Sequence, residues 1–217
     1  MASNKNQHFV PRCYLREFTH SSENKVINVF NIDRKKFISK APVKNQCSKD
    51  YFYGNDEKLE MAIQSVESAY AATLRDIIDG SRDLSEGQKI VLKRFWLLQY
   101  LRTEAASKRS VEMNNGITEA AGINGKEFNL GIKDAVQMAM LTFAKEMHVI
   151  DDLKICLISN KTDFPFVTSD DPAVLTNRWH LNDWRTKFRS FGLRTSGDLL
   201  FLPLTPKIIC VAFDGDV

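Results

Sequence analysis

Apolar positions change their period three times along the chain. Tyr14, Leu15 and Phe18 form a short stripe at helical spacing behind Pro11, whose fixed φ suits a first helical turn. Two runs of strand character follow, residues 25–32 and 36–43, and the turn residues Asp33-Arg34-Lys35 between them predict a hairpin. Pro42 places the end, or an edge, of its second strand nearby. From about Asp56 the apolar spacing becomes three and four. Leu59, Ile63, Val66, Tyr70, Leu74, Ile77 and Ile78 mark one long amphipathic helix that stops near Gly80. Ser85-Glu86-Gly87-Gln88 has the form of a capping box and opens a second helix running through Leu101. A third helix is expected over roughly 130–149, after a stretch loosened by Gly116, Gly122 and Gly125. Beyond Asp151 the runs shorten to four strand candidates, 153–159, 164–169, 199–204 and 207–213, and the polar stretch 178–197 reads as a flap.

Helices thus lie between a hairpin and a late group of strands. That segregation predicts an α+β fold with N-terminal hairpin, central long helices and C-terminal antiparallel strands around one core. One domain over 1–217 is expected, in three parts: 1–55, 56–150 and 151–217. At 43% hydrophobic, the chain has enough apolar residues to fill such a core.

Charge narrows the picture only slightly. Thirty basic and 27 acidic residues leave +3, which permits a nucleic-acid or nucleotide partner without implying one. No apolar run reaches about 18 residues, so no membrane partner is expected. The polar opening residues carry no secretory signal. Cys13, Cys47, Cys156 and Cys210 stand singly, with no Cys-x-x-Cys pair and no histidine at zinc spacing, which predicts a reduced, cytoplasmic protein without structural metal.

Three polar clusters interrupt stretches that otherwise read as buried. On the second helix, a step of about 100° per residue puts Leu92, Phe95, Gln99, Arg102, Thr103 and Ala106 on one face. The solvated side carries Glu86, Lys89, Lys93 and Glu104. An arginine facing inward needs a partner. A structural pair with Glu60, Glu67 or Asp170 satisfies that need, as does a bound phosphate. The opening His8-Phe9-Val10-Pro11-Arg12 offers a proton carrier that titrates near neutrality. In Thr168-Ser169-Asp170-Asp171-Pro172 the two carboxylates should project to different sides. Ser169 and Asp170 are also ordinary turn formers. Asp163 is close in sequence, so magnesium is conceivable as a cofactor, though no spacing demands it. The tryptophans and arginines of 178–194 suit contact with a nucleic-acid strand or a protein partner.

These motifs resemble the domain-of-unknown-function family DUF4238, found in bacteria and mobile elements. The resemblance rests on His8-Phe9-Val10-Pro11-x-x-Tyr14-Leu15-x-x-Phe18, Tyr51-Phe52-Tyr53, Glu67, Gln99-x-x-Arg102-Thr103, Thr168-Ser169-Asp170-x-Pro172 and the 200–204 strand. It implies that His8, Gln99, Arg102 and Asp170 converge, and that a C-terminal portion usual in the family is missing here. It brings no activity with it. The leading expectation is a phosphodiester hydrolase, a nuclease of phage defence or a toxin system. His8, Arg102 and Asp170 would be catalytic, and Arg12, Gln99, Thr103 and Ser169 would bind substrate. The alternatives are a non-catalytic module that binds a nucleotide or other anion and signals to a protein, and a buried structural network with function elsewhere.

Overall fold

A computed structural model describes residues 5–19, 25–122, 129–183, 185 and 192–215. The chain begins with β1 (Asn6–His8) and α1 (Arg12–Leu15), the latter extended by a 3-10 turn over Arg16–Phe18. The hairpin is β2 (Val26–Asn31) and β3 (Lys36–Pro42), and β4 (Ser48–Asp50) then returns antiparallel to β1. Asp56 caps α2 (Glu57–Ile78) by accepting from the amides of Lys58 and Leu59, and Ile63, Tyr70, Leu74 and Ile77 form its buried stripe.

Ser85 and Gln88 cap α3 (Glu86–Arg102) reciprocally, as their spacing predicts. From Leu92 to Gln99 every residue of α3 except Arg94 is buried, so this is the central helix of the core. Lys93, expected on the wet side, is only 5% exposed. Its ammonium donates to the carbonyls of Asp151 and Leu153, which ties α3 to the entry of the C-terminal sheet. Burial lowers its pKa.

The second helix does not carry through Thr103. There the backbone turns to ψ 160°, and the Thr103 hydroxyl accepts from the Ala106 amide to cap a new helix, α4 (Glu104–Ala120). Thr103 and Ala106 therefore do not extend the face of Gln99 and Arg102. Helix α5 (Ile132–Glu146) matches the third expected helix.

The remaining elements are β5 (Lys154–Ser159), β6 (Val174–Asn177), α6 (Arg178–Asn182), β7 (Asp198–Thr205) and β8 (Ile208–Phe213). The strands form an antiparallel sheet in the order β5-β8-β7-β6. Residues 164–169 are not a strand. Pro165 has no amide to offer a ladder, and the segment is held instead by the Phe166 amide on the Pro206 carbonyl. The fourth place in the sheet goes to β6, only four residues long. Of the expected flap, residues 184 and 186–191 lie outside the described residues.

Leu200, Leu202 and Leu204 alternate inward from β7, and each contributes about 2 kcal/mol through burial. Trp96 Nε1 on α3 donates to the Phe201 carbonyl at 3.0 Å. Tyr70 and Phe95 stack at 3.5 Å between ring centres, next to Tyr14. One contiguous apolar cluster thereby runs from Phe9 to Ala212, and the fold is α+β.

Candidate functional site

A cavity of about 720 Å³ opens where β1, the turn Val43–Asn45 and α2 meet, and His8, Arg12, Cys13, Lys44, Tyr53 and Glu67 are among its lining residues. Strand pairing fixes His8 opposite Ser48. The buried Gln7 straps the neighbouring turn: its Oε1 accepts from the Tyr53 amide at 2.7 Å and its Nε2 donates to the Gly54 carbonyl at 2.9 Å. Tyr53 answers with its hydroxyl, which donates to the His8 carbonyl at 3.1 Å.

The His8 ring lies beside the Lys44 backbone. Its Nε2 is buried and has no hydrogen-bond partner. Burial is the largest influence on the ring and lowers its pKa, and Arg12 lowers it further. The Lys44 carbonyl and Glu67 oppose these without overcoming them. The imidazole is therefore neutral near pH 7, with an unshared acceptor lone pair on Nε2. Cys13, in the same wall, is a thiol rather than a nucleophilic thiolate: burial pushes it up to about 11.

Arg102 is fully buried, and α2 and α3 meet at its guanidinium. Nη1 donates to Glu67 Oε1 at 2.7 Å. With the Gln99 amide oriented oxygen-inward, that oxygen accepts from Nε at 2.8 Å and Nη2 at 2.6 Å. Of the three carboxylates considered for Arg102, Glu67 is the partner. It is 24% exposed and lines the cavity, whereas Arg102 and Gln99 sit behind it.

The late bend is held by other bonds. Tyr14 and Thr168 share a hydrogen bond of 2.8 Å, and Ser169 Oγ accepts from the Asp171 amide at 3.1 Å. Asp171 turns inward. Its Oδ1 accepts from the Thr103 hydroxyl at 2.6 Å and its Oδ2 pairs with Arg109. Asp170 is exposed and does not line the cavity. Among the described residues, no group of three or more His, Cys, Asp or Glu is arranged to hold a metal ion, and Asp163, Asp170 and Asp171 do not gather as one.

Of the seven residues singled out in the sequence, His8 and Arg12 face the cavity, and Arg102 and Gln99 form the layer behind. Thr103, Ser169 and Asp170 lie elsewhere. Sequence reasoning did not single out Lys44. It named Tyr53 and Glu67 as positions of the family motifs, and Glu67 also as a partner for Arg102, but gave neither a place in the site. A signal for Glu67 was present, because it stands in register with Ile63, Tyr70 and Leu74 on the buried stripe of α2. Lys44 gave none.

The family model for a protein of unknown function, DUF4238, matches residues 6–217. The chain belongs to this family. No curated protein and no solved structure matches it. In this DUF4238 member the opening run divides its work. His8 and Arg12 face the cavity, while Phe9, Val10, Tyr14 and Leu15 enter the core. Gln99-x-x-Arg102 orients a cavity carboxylate, and Thr168-Ser169-x-Asp171-Pro172 docks the sheet's entry onto α1 and α4. Among the described residues, no helix is long and apolar enough to cross a membrane.

Proposed function

We propose that the cavity hydrolyses phosphodiesters, with His8 as the general base. The observation that carries this reading is the unpartnered Nε2 of a neutral imidazole in a wall shared with Arg12 and Lys44, neither of which makes an ion pair among the described residues. The tautomer that acts is the one with its lone pair on Nε2. When the ring turns its buried Nε2 to the cavity, a water admitted to that atom gives up its proton as its oxygen bonds to phosphorus. The ester P–O bond then breaks, and the departing oxygen takes a proton from solvent. Arg12 and Lys44 stabilise the phosphate's equatorial charge. Arg102 is a positioning residue here. Its charge offsets that of Glu67, so that the carboxylate can orient the attacking water without repelling the substrate's phosphate.

This assignment moves two roles away from the sequence expectation. The acid nearest the chemistry is Glu67 in place of Asp170, and Arg102 acts through Glu67. The test is incubation of the purified chain with DNA, RNA and a chromogenic phosphodiester, each with magnesium, manganese or chelator. Cleavage that disappears in a folded His8→Ala variant supports the reading. Binding of a nucleotide without turnover would favour a recognition module, and neither binding nor turnover would leave the polar residues a structural network.

A further inference from the structure

The chain's positive charge is concentrated in one short stretch. Residues 25–44 contain Lys25, Arg34, Lys35, Lys36, Lys40 and Lys44 against a single acid, Asp33. That is +5 in a chain whose total is +3, so everything outside it is net −2. Most of these cations lie on the hairpin of β2 and β3. Arg34, Lys35, Lys36 and Lys40 make no ion pair among the described residues and are exposed.

The same hairpin displays aromatic surface. One face turns Ile27 and Ala41 into the core. On the other, Phe30 and Phe37 stand directly across from each other in register and are 59% and 60% exposed, and Ile32 in the adjoining turn is 78% exposed. Burying such residues is worth one to three kcal/mol each, roughly, and here that stabilisation is forgone. Beyond Pro42 the chain enters the turn that carries Lys44 to the cavity, so the hairpin leads to the proposed reaction site.

We infer that this hairpin is a docking surface for single-stranded nucleic acid, which it feeds toward the cavity. Two adjacent rings on one face of the ribbon, with the exposed cations of the same hairpin within a side chain's reach, offer what a single strand needs. Bases stack on the rings, and phosphates meet the ammonium and guanidinium groups. Duplex bases are already stacked and give the rings nothing to hold. A bilayer would accept the phenylalanines, but the same face carries the exposed Asn28, which hydrocarbon would have to desolvate. The inference deepens the hydrolase reading and rests on it for the direction of the strand, while its binding component stands separately.

Fluorescence anisotropy with a labelled single-stranded oligonucleotide of about 12 nucleotides tests it on the full chain. Competitors are the matched duplex, heparin, and vesicles containing an anionic phospholipid. The single strand should bind best. Phe30→Ala and Phe37→Ala should each weaken it about tenfold. Lys35→Ala with Lys36→Ala should flatten the slope of log K against log salt by about 1.4, the release expected for two phosphate contacts. His8→Ala should leave binding intact. All these hairpin positions are exposed, and matched urea midpoints would confirm that the variants fold. Heparin or duplex binding as well as the single strand, with no effect of either phenylalanine, would overturn the inference in favour of simple polyanion attraction. Vesicle binding that needs both phenylalanines, without oligonucleotide binding, would overturn it in favour of a membrane surface. Hydrolysis of a small phosphodiester without hairpin-dependent binding would sink this inference alone. Hairpin-dependent binding without any hydrolysis would uphold the docking surface and sink the reading of the cavity.

Discussion

Replacing Arg102 is the perturbation whose consequence the structure fixes most closely. Its guanidinium has no solvent contact and makes one charged bond to Glu67 and two to the Gln99 oxygen. Removing one member of a buried ion pair costs about 3–5 kcal/mol, because the other charge is left uncompensated. Glu67 is 24% exposed and borders the cavity, so water can reach it, which puts Arg102→Ala near the lower end, about 3 kcal/mol. For a chain of this size that corresponds to a fall in Tm of about 6–12 °C. Arg102→Lys keeps the charge but cannot span Glu67 and Gln99 with one ammonium, and should cost about half as much. The double variant Arg102→Met, Glu67→Gln removes both charges, so it should lose at least about 1.5 kcal/mol less than the two single changes summed. Urea unfolding followed by circular dichroism, with an unchanged m-value, measures all five variants, the two single changes of the cycle included. A loss under about 0.5 kcal/mol for Arg102→Ala, or strict additivity in the double variant, would refute the reasoning.

Three further outcomes follow from named contacts. Because the folded-state pKa of His8 lies below the ordinary 6.5, protonating it opposes folding, and stability should fall as pH drops below 6.5 and level off under the folded value. His8→Gln should reduce that slope in urea midpoints taken across pH 4–7, on the order of those limits. Thr103→Val strips a cap from α4 and a partner from Asp171, and should cost about 1–2 kcal/mol by the same denaturation assay. Asp170→Asn should change stability by less than about 0.5 kcal/mol and leave phosphodiester turnover intact, and a large loss of turnover would return Asp170 to the site.

Most of the fold was legible because its signals are local. The capping box at Ser85, the stripe on α2 and the hairpin around Asp33–Lys35 each depend on residues a few positions apart, and each stands where its pattern predicts. The misses share another cause. Thr103 sits in a run that continues the helical period, and only its hydroxyl on the Ala106 amide reveals that one helix ends and another begins. Lys93 looks wet by charge, yet two carbonyls from residues far along the chain receive it. β6 is too short to stand out, while 164–169 is apolar enough to imitate a strand.

The site was legible as a set of unusual residues, not as an arrangement. The sequence shows that an inward Arg102 needs a carboxylate but not which one, since Glu60, Glu67 and Asp170 satisfy the same requirement. Choosing between Asp170 and Asp171 depended on a turn whose direction is set by Ser169 on the Asp171 amide and by Thr103 across the fold. Lys44 reaches the cavity only because the hairpin ends beside β1, a relation that no local pattern encodes.

The central claim is that the Nε2 of His8 takes a proton during phosphodiester cleavage. The most direct measurement is kcat/KM for one small phosphodiester, comparing the unaltered chain with His8→Gln of matched urea midpoint. A base of this kind contributes about 10²–10⁴-fold, so the ratio should lie in that range and the acid limb of the unaltered chain's profile should fall below pH 6.5. Equal turnover in both proteins, or none in the unaltered chain, would contradict the account.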